Sequence, residues 1–395
     1  MIKRLAFTLL TFIAACSIED KENSIITTQT AVVIDSLSFN TGMSINGLHS
    51  GFWEDKNNGK RLFYFGNLST DKKIKVFSTA GGLVATIPLD SALKSNETIR
   101  DFDFIGLDTI VVLHEYTNKL TFINQHGIQW KEVDLNFLFQ DSNGLSYEYY
   151  STFLERFILD NESLILSRIA VFSEADMDMD VTGLDSTQAI RNWKSDQYIK
   201  IDQLFADTLK FTTGFKLYQH FIPSDSLFSV IELPYYQIAN NSIFSMSKFS
   251  DSIYQLNTIN LSLDKAHLIE SSKTKIGVSA IRVGKYSISE TRKKERAISR
   301  SGGKISGVFY NSERKHYYVT VSKTTALKFL EKEKYKPWLL QVYDVNFKKL
   351  QEIDFDDGRY YSTVIPSERG FLLEKRLAKP KKYKDQKVVY HEFTY

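Results

Sequence analysis

Six times along this chain one arrangement returns: a polar turn, a strand rich in β-branched and aromatic residues, a second turn or loop, and another such strand. The turn Asn57-Asn58-Gly59-Lys60 precedes residues 61–65, with 74–77 following, and Gly106-Leu107-Asp108 precedes 109–114, with 120–123 following. Polar turn residues between runs of this composition read as hairpins. The turn recurs as Asp160-Asn161-Glu162 before 163–172, as Asn240-Asn241 before 242–246, as Ser312-Glu313-Arg314 before 316–321 and as Ser367-Glu368-Arg369 before 371–374. Their partner strands are 198–201, 252–256, 339–345 and 388–394. The 28 Phe and 21 Tyr against only 6 Pro favour sheets throughout.

Further strand candidates flank the hairpins, for instance 99–105 before the second and 128–135 after it, so the unit has about four strands, the size of a propeller blade. Six units predict an all-β, six-bladed β-propeller with four-stranded blades. The units are spaced by roughly fifty to eighty residues, wider and less even than in regular propeller families. Irregular loops account for that more simply than a second domain. The last unit reaches Tyr395 one strand short, while 31–36 is a strand without a hairpin of its own. Pairing 31–36 with 388–394 closes the ring and removes the exposed edges of an open sheet. Residues 275–290 fit this scheme least and read as an extra hairpin.

The first sixteen residues set the address. Lys3 and Arg4 form a positive start, 5–12 is mainly apolar, and Ile13-Ala14-Ala15-Cys16 places small residues directly before the only cysteine. A secretory leader needs small residues at its cleavage site but no cysteine. The thiol there makes the segment a lipobox, with Cys16 as the lipidated first residue of the mature chain. The apolar run is too short for a membrane-spanning helix, which needs about twenty such residues. The expected organisation is a lipoprotein signal peptide over 1–15, a lipidated flexible tether over 16–30 and the propeller over 31–395. With Cys16 acylated no thiol remains, which excludes disulfides, thiolate metal sites and a cysteine nucleophile. The formal charge is +3, and loss of Lys3 and Arg4 takes two of the 50 basic residues against 47 acidic ones, leaving about +1. No global charge points to nucleic acid, so the expected partners are the membrane through Cys16 and an envelope protein or glycan.

Lipobox and hairpins together resemble the Bacteroidetes lipoproteins that carry a six-bladed, TolB-like propeller domain of unknown function. Segments 61–89 and 108–135 look most like that family, and the resemblance covers nearly the whole mature chain. It implies a lipid-anchored protein of the bacterial cell envelope, at the outer membrane, without a catalytic signature. In that group an acidic stretch after the lipidated cysteine can accompany display on the outer face, and Glu19-Asp20 with Glu22 is similar to it. An acidic linker is equally an ordinary solvated tether, so the periplasmic and surface faces both stay open.

No Gly-x-Ser-x-Gly elbow, phosphate loop, His-Glu-x-x-His helix or Gly-x-Gly-x-x-Gly turn occurs. No catalytic residue and no cofactor is therefore assigned. The seven histidines are scattered without metal-ligand spacing, and His114 and His316 fall in strands, where a packed, hydrogen-bonded imidazole is the ordinary outcome. Asp176, Asp178 and Asp180 alternate with Met177 and Met179 and could converge on a hard cation. Val181 and Thr187 stand where an EF-hand loop needs glycine and the bidentate glutamate, so a solvated acidic loop is favoured and no metal is assigned. Two basic segments, Arg292, Lys293, Lys294 and Arg296 with Arg300 and Lys304, and Lys381, Lys382 and Lys384 with their neighbours, could contact an anionic partner or serve as solubilising loops.

Strand direction alternates within a blade, so connections between second and third strands leave one face, as do those between consecutive blades. The acidic segment 174–196, the helix-prone 324–336 and the basic 375–387 and 292–304 all fall in such connections. Long loops on a rigid scaffold are where function concentrates. The expectation is a non-enzymatic binding or interaction scaffold working through this face; the alternative is an envelope enzyme for carbohydrate, lactone or peptide with carboxylates at the central channel.

Overall fold

The computed structural model describes residues 31–43, 48–55, 59–68, 71–90, 98–115, 117–138, 146–150, 157–159, 162–171, 190–222, 234–247, 249–277, 287–327, 329, 335–376 and 387–395. A first strand, β1 (Val32–Asn40), is followed by six units of strands. The first blade comprises β2 (Leu48–Asp55), β3 (Lys60–Asn67), β4 (Lys73–Ser78) and β5 (Leu83–Pro88), and the second β6 (Ile99–Gly106), β7 (Thr109–His114), β8 (Lys119–Ile123) and β9 (Gln129–Asp134). The third comprises β10 (Ser146–Tyr150), β11 (Leu164–Val171), β12 (Tyr198–Asp202) and β13 (Lys210–Gly214), and the fourth β14 (Tyr235–Ala239), β15 (Ser242–Met246), β16 (Ser252–Leu256) and β17 (Leu263–Leu268). The fifth holds β18 (Lys304–Asn311), β19 (His316–Ser322), β20 (Trp338–Tyr343) and β21 (Lys349–Phe355). The sixth holds β22 (Tyr360–Ser367), β23 (Gly370–Lys375) and β24 (Lys387–Thr394), completed by β1. The result is an all-β, six-bladed propeller of four-stranded antiparallel blades.

The middle strands read as unbroken apolar runs because neighbouring blades cover both of their faces. In β7, Ile110 and Val112 enter the core shared with the first blade, while Val111 and Leu113 enter the core shared with the third. In β19, Tyr317, Val319 and Val321 face the fourth blade and Tyr318 faces the sixth. A strand sends alternate side chains to opposite faces, so one sequence run serves two interfaces. Each fully buried Leu, Ile, Val or Phe stabilises the fold by about 1.5–3 kcal/mol. The hairpins expected from sequence are the second and third strands of every blade, where this double burial is most complete.

Ring closure follows the expected pairing. β1 runs antiparallel to β24 from Val32 opposite Thr394 to Asn40 opposite Lys387, with one bulge between Val33 and Asp35. Phe39 carries closure into the core: it is fully buried, and its ring lies 4.8 Å from Phe63 and 5.3 Å from Phe65 of the first blade and 6.1 Å from Tyr390 of the sixth. The closing strand therefore completes one sheet and buttresses the next.

Most of the extra hairpin expected over 275–290, residues 278–286, lies outside the described residues. Of its flanks, Ile276 makes one isolated parallel bridge, to Gly303, and residues from 288 onward belong to a helix, Ile288–Ser301. Ser287 caps that helix by accepting from the Glu290 amide, while the Glu290 carboxylate accepts from the Ser287 amide. This reciprocal box satisfies two otherwise orphaned donors. The basic segment expected as a loop is thus helical, ending at Gly302, whose amide donates to Ile298 O. Among the described residues no helix is long and apolar enough to cross a membrane.

Candidate functional site

The first strands of successive blades pack side by side around the axis, as β14 does against β18 and β18 against β22. Each enters from the end bearing the inter-blade connections, and in every blade but the third, where residues 151–163 intervene, it leaves through a turn of two to four residues into the second strand. The two ends of the ring therefore differ in kind.

At the short-turn end lies a cavity of about 260 Å³, lined from β2, β14, β18 and β22 and their turns. Its polar lining is Ser50, Tyr64, Gln237, Asn240, Tyr310 and Thr363; Phe52, Phe309, Ile238 and Pro366 supply apolar wall. Tyr64 belongs to the second strand of its blade but reaches the axis because residue 51 is glycine: a Cβ there would lie 2.1 Å from the Tyr64 hydroxyl. Gln237 is buried, and its Oε1 accepts from the Val308 amide, tying the inner strands of the fourth and fifth blades. Asn240, in the left-handed two-residue turn with Asn241, donates from Nδ2 to the Tyr317 hydroxyl at 3.0 Å. Among the described lining residues none is a carboxylate, histidine, lysine or arginine. The nearby acid is Glu374, whose Oε2 accepts from the Ser50 hydroxyl at 3.2 Å and from the Tyr390 hydroxyl at 3.4 Å. Burial pushes its carboxyl above the usual range against the lowering effect of those bonds.

A groove of about 540 Å³ adjoins the cavity, sharing Phe52 and Pro366 with it and running between the sixth and first blades. It carries Lys60, Arg61, Glu368, Arg369 and Glu392. Arg61 lies 6.0 Å from the centroid of the Phe52 ring, pairs with Glu54 at 3.9 Å, and pairs with Glu313 of the fifth blade, across the sixth. Arg369 pairs with Asp35 of the closing strand at 3.1 Å and with Glu392. Arg314 donates to Arg369 O at 2.9 Å and stacks 4.5 Å from the Tyr395 ring centroid. The charges of this rim are largely self-neutralised.

The opposite end gathers the inter-blade and second-to-third connections. Arg292, Lys293, Lys294 and Arg296 lie on the helix Ile288–Ser301 between the fourth and fifth blades, with Lys293 and Lys294 exposed. Lys336 donates to Gly302 O, just past the helix; burial and neighbouring Lys304 bring its pKa down to about 8. Lys323 pairs with Asp354 and, at 2.7 Å, with Asp356. Asp176, Asp178, Asp180, Lys381, Lys382 and Lys384 lie outside the described residues, in the connections β11–β12 and β23–β24, whose anchoring strand ends belong to this face.

The histidines in strands are packed and hydrogen-bonded. Buried His114 bonds Thr121 Oγ1 at 2.7 Å, and His316 bonds the Tyr395 hydroxyl at 2.7 Å. No group of three potential metal ligands occurs among the described residues. The cavity residues carry no joint sequence signal because they come from four blades, chiefly from first strands, with Tyr64 added from a second strand and Asn240 from a turn.

No protein-family model and no curated protein matches the chain. Among solved structures, it is similar to a member of the DUF4221 family from Bacteroides vulgatus ATCC 8482, at 14% identity and a TM-score of 0.61, over 92% of this chain and 97% of that one. It is also similar to an exported protein from Bacteroides fragilis NCTC 9343, at 12% identity and a TM-score of 0.48, over 92% and 97%. At such identities the first likeness shows the propeller fold.

Proposed function

We propose that the protein is a lipid-anchored binding scaffold of the bacterial envelope, tethered through Cys16, that captures its ligand in the axial cavity at the short-turn end. The observation that carries this reading is the cavity itself: a concave site on rigid inner strands, with convergent neutral polar groups and aromatic walls, as ligand sites have. The lining favours binding over the enzymatic alternative. Hydrolysis of a glycoside or lactone calls for carboxylates or an activated nucleophile facing the substrate, whereas Glu374 stands behind Ser50 and is committed to two hydroxyls. The long-connection end, with exposed Lys293 and Lys294 and the segments bearing Asp176, Asp178, Asp180, Lys381, Lys382 and Lys384, is proposed as a second contact surface for an envelope partner. Opposite charges there would set orientation and speed association.

The test is a quantitative pull-down from cross-linked envelopes with wild type, Thr363→Trp, which fills the cavity, and Lys293→Ala/Lys294→Ala. Loss of recovered material specifically with Thr363→Trp, at unchanged thermal stability, supports the cavity. Equal recovery from all three refutes it. Cys16→Ser should in addition move the protein from the detergent phase to the aqueous phase; unchanged partition would remove the anchor.

A further inference from the structure

The axial cavity also specifies a class of ligand. Gln237 Oε1 is spent on the Val308 amide, but its Nε2 has no hydrogen-bond partner among the described residues. Asn240 spends Nδ2 on Tyr317, leaving Oδ1. The hydroxyls of Tyr310 and Thr363 likewise have no protein partner among the described residues. Thr363 sits in a bulge: the ladder between β22 and β23 shifts register between Tyr360 and Val364. Four groups, from three inner strands and the turn after β14, thus bring an amide donor, an amide acceptor and two hydroxyls to one small space. Phe52, Phe309 and Pro366 stand in the same lining.

We infer that this cavity binds one neutral, hydroxyl-rich ring, a glycosyl residue without a charged substituent, at the end of or within a glycan. The inference rests on the binding reading above and narrows it. A purely apolar ligand would strand the buried Gln237 amide, at about 1–3 kcal/mol for a group left unmade, and would cover the half-buried Tyr310 and Thr363 hydroxyls without partners. A charged ligand would lose its hydration inside a lining that offers no counter-charge. A ring with hydroxyls on its edge and C–H groups on its face meets both kinds of wall. The volume sets the size: 260 Å³ lies below the roughly 300–1,000 Å³ of sites for drug-sized molecules, leaving room for one sugar ring rather than an oligosaccharide. The adjoining groove, reached past Phe52 and Pro366, gives the remainder of the chain a path outward between the sixth and first blades.

The experiment is isothermal titration of the full-length, detergent-solubilised protein with methyl glycosides of glucose, galactose, mannose and N-acetylglucosamine. The parallel arms are glucuronate and galacturonate, glucose 6-phosphate and a neutral tripeptide. Saturable binding of at least one neutral glycoside is expected, with the charged sugars weaker by at least about tenfold. That binding should be lost in Thr363→Trp and weakened in Tyr310→Ala, the second variant serving if the first does not fold. Binding of no neutral glycoside, equal binding of a charged sugar, preference for the tripeptide, or unchanged binding in a folded Thr363→Trp protein would each overturn the inference. Failure here with a pull-down that still depends on residue 363 removes the sugar and leaves the scaffold. Failure of both removes the cavity as the site.

Discussion

Gly51 and Tyr64 occupy one another's space: a methyl group on residue 51 would stand 2.1 Å from the Tyr64 hydroxyl and 2.2 Å from the ring carbon that bears it. The ring is held there from behind by Phe102 and Phe104, each 5.3 Å away centroid to centroid. A second-strand side chain thereby contributes to the lining of the axis, where otherwise only first strands and their turns would reach.

Gly51→Ala should therefore destabilise the protein by about 1–3 kcal/mol, the usual cost of overpacking, and displace Tyr64 from the cavity. Combining it with Tyr64→Leu should recover part of the loss, because contacting residues are not additive. Denaturant melts of the two single variants and the double variant measure this. Additive losses would mean that the two residues are not in contact.

The closing strand gives a second expectation. Phe39 is fully buried among Phe63, Phe65, Phe77 and Tyr390, so Phe39→Ala should cost about 3–5 kcal/mol, as for other buried phenylalanines. Deleting residues 17–40 should go further, removing the partner of β24 along its length and lowering the melting temperature in a single cooperative transition. An unchanged melting temperature after the deletion would show that β1 is dispensable for closure.

Acid should weaken the fold through its histidines. Burial holds His49 and His267 down to about 4 from an ordinary 6.5, with Lys265 adding to the effect at His267. The native state then binds fewer protons than the unfolded chain between these values, so this stability is complete above about pH 6.5 and is lost as pH falls towards 4. Glu374 acts in the opposite sense: its raised pKa favours the native state at low pH, and that contribution fades as pH rises through the raised value. Melting temperatures from pH 7.5 to 4.5 should fall more steeply for wild type than for His49→Gln/His267→Gln. Parallel curves would contradict the assignment.

How much could be read in advance depended on burial. Strands such as β7, with Ile110 through Leu113 packed on both faces, announce themselves as apolar runs between polar turns. β1 was legible as the unpaired strand that a ring must use. In the helix Ile288–Ser301 the many charges mask the helical periodicity and give the segment the look of a basic loop; the signal that marks it is the Ser287-x-x-Glu290 box. The cavity was not legible at all. Gln237, Tyr310 and Thr363 meet through the packing of three consecutive inner strands and Ser50 joins them through ring closure, and each is unremarkable in its own strand.

The central claim is that ligand enters the axial cavity at the short-turn end, and site-specific photocrosslinking in intact cells tests it most directly. A benzophenone amino acid is placed at position 310, in the cavity, or at position 293, on the basic helix at the other end. The account predicts a glycan-containing adduct from position 310 that disappears when Thr363→Trp is added and is competed by a free neutral glycoside. An adduct that forms only from position 293, or one from position 310 that survives Thr363→Trp in a folded protein, would contradict it.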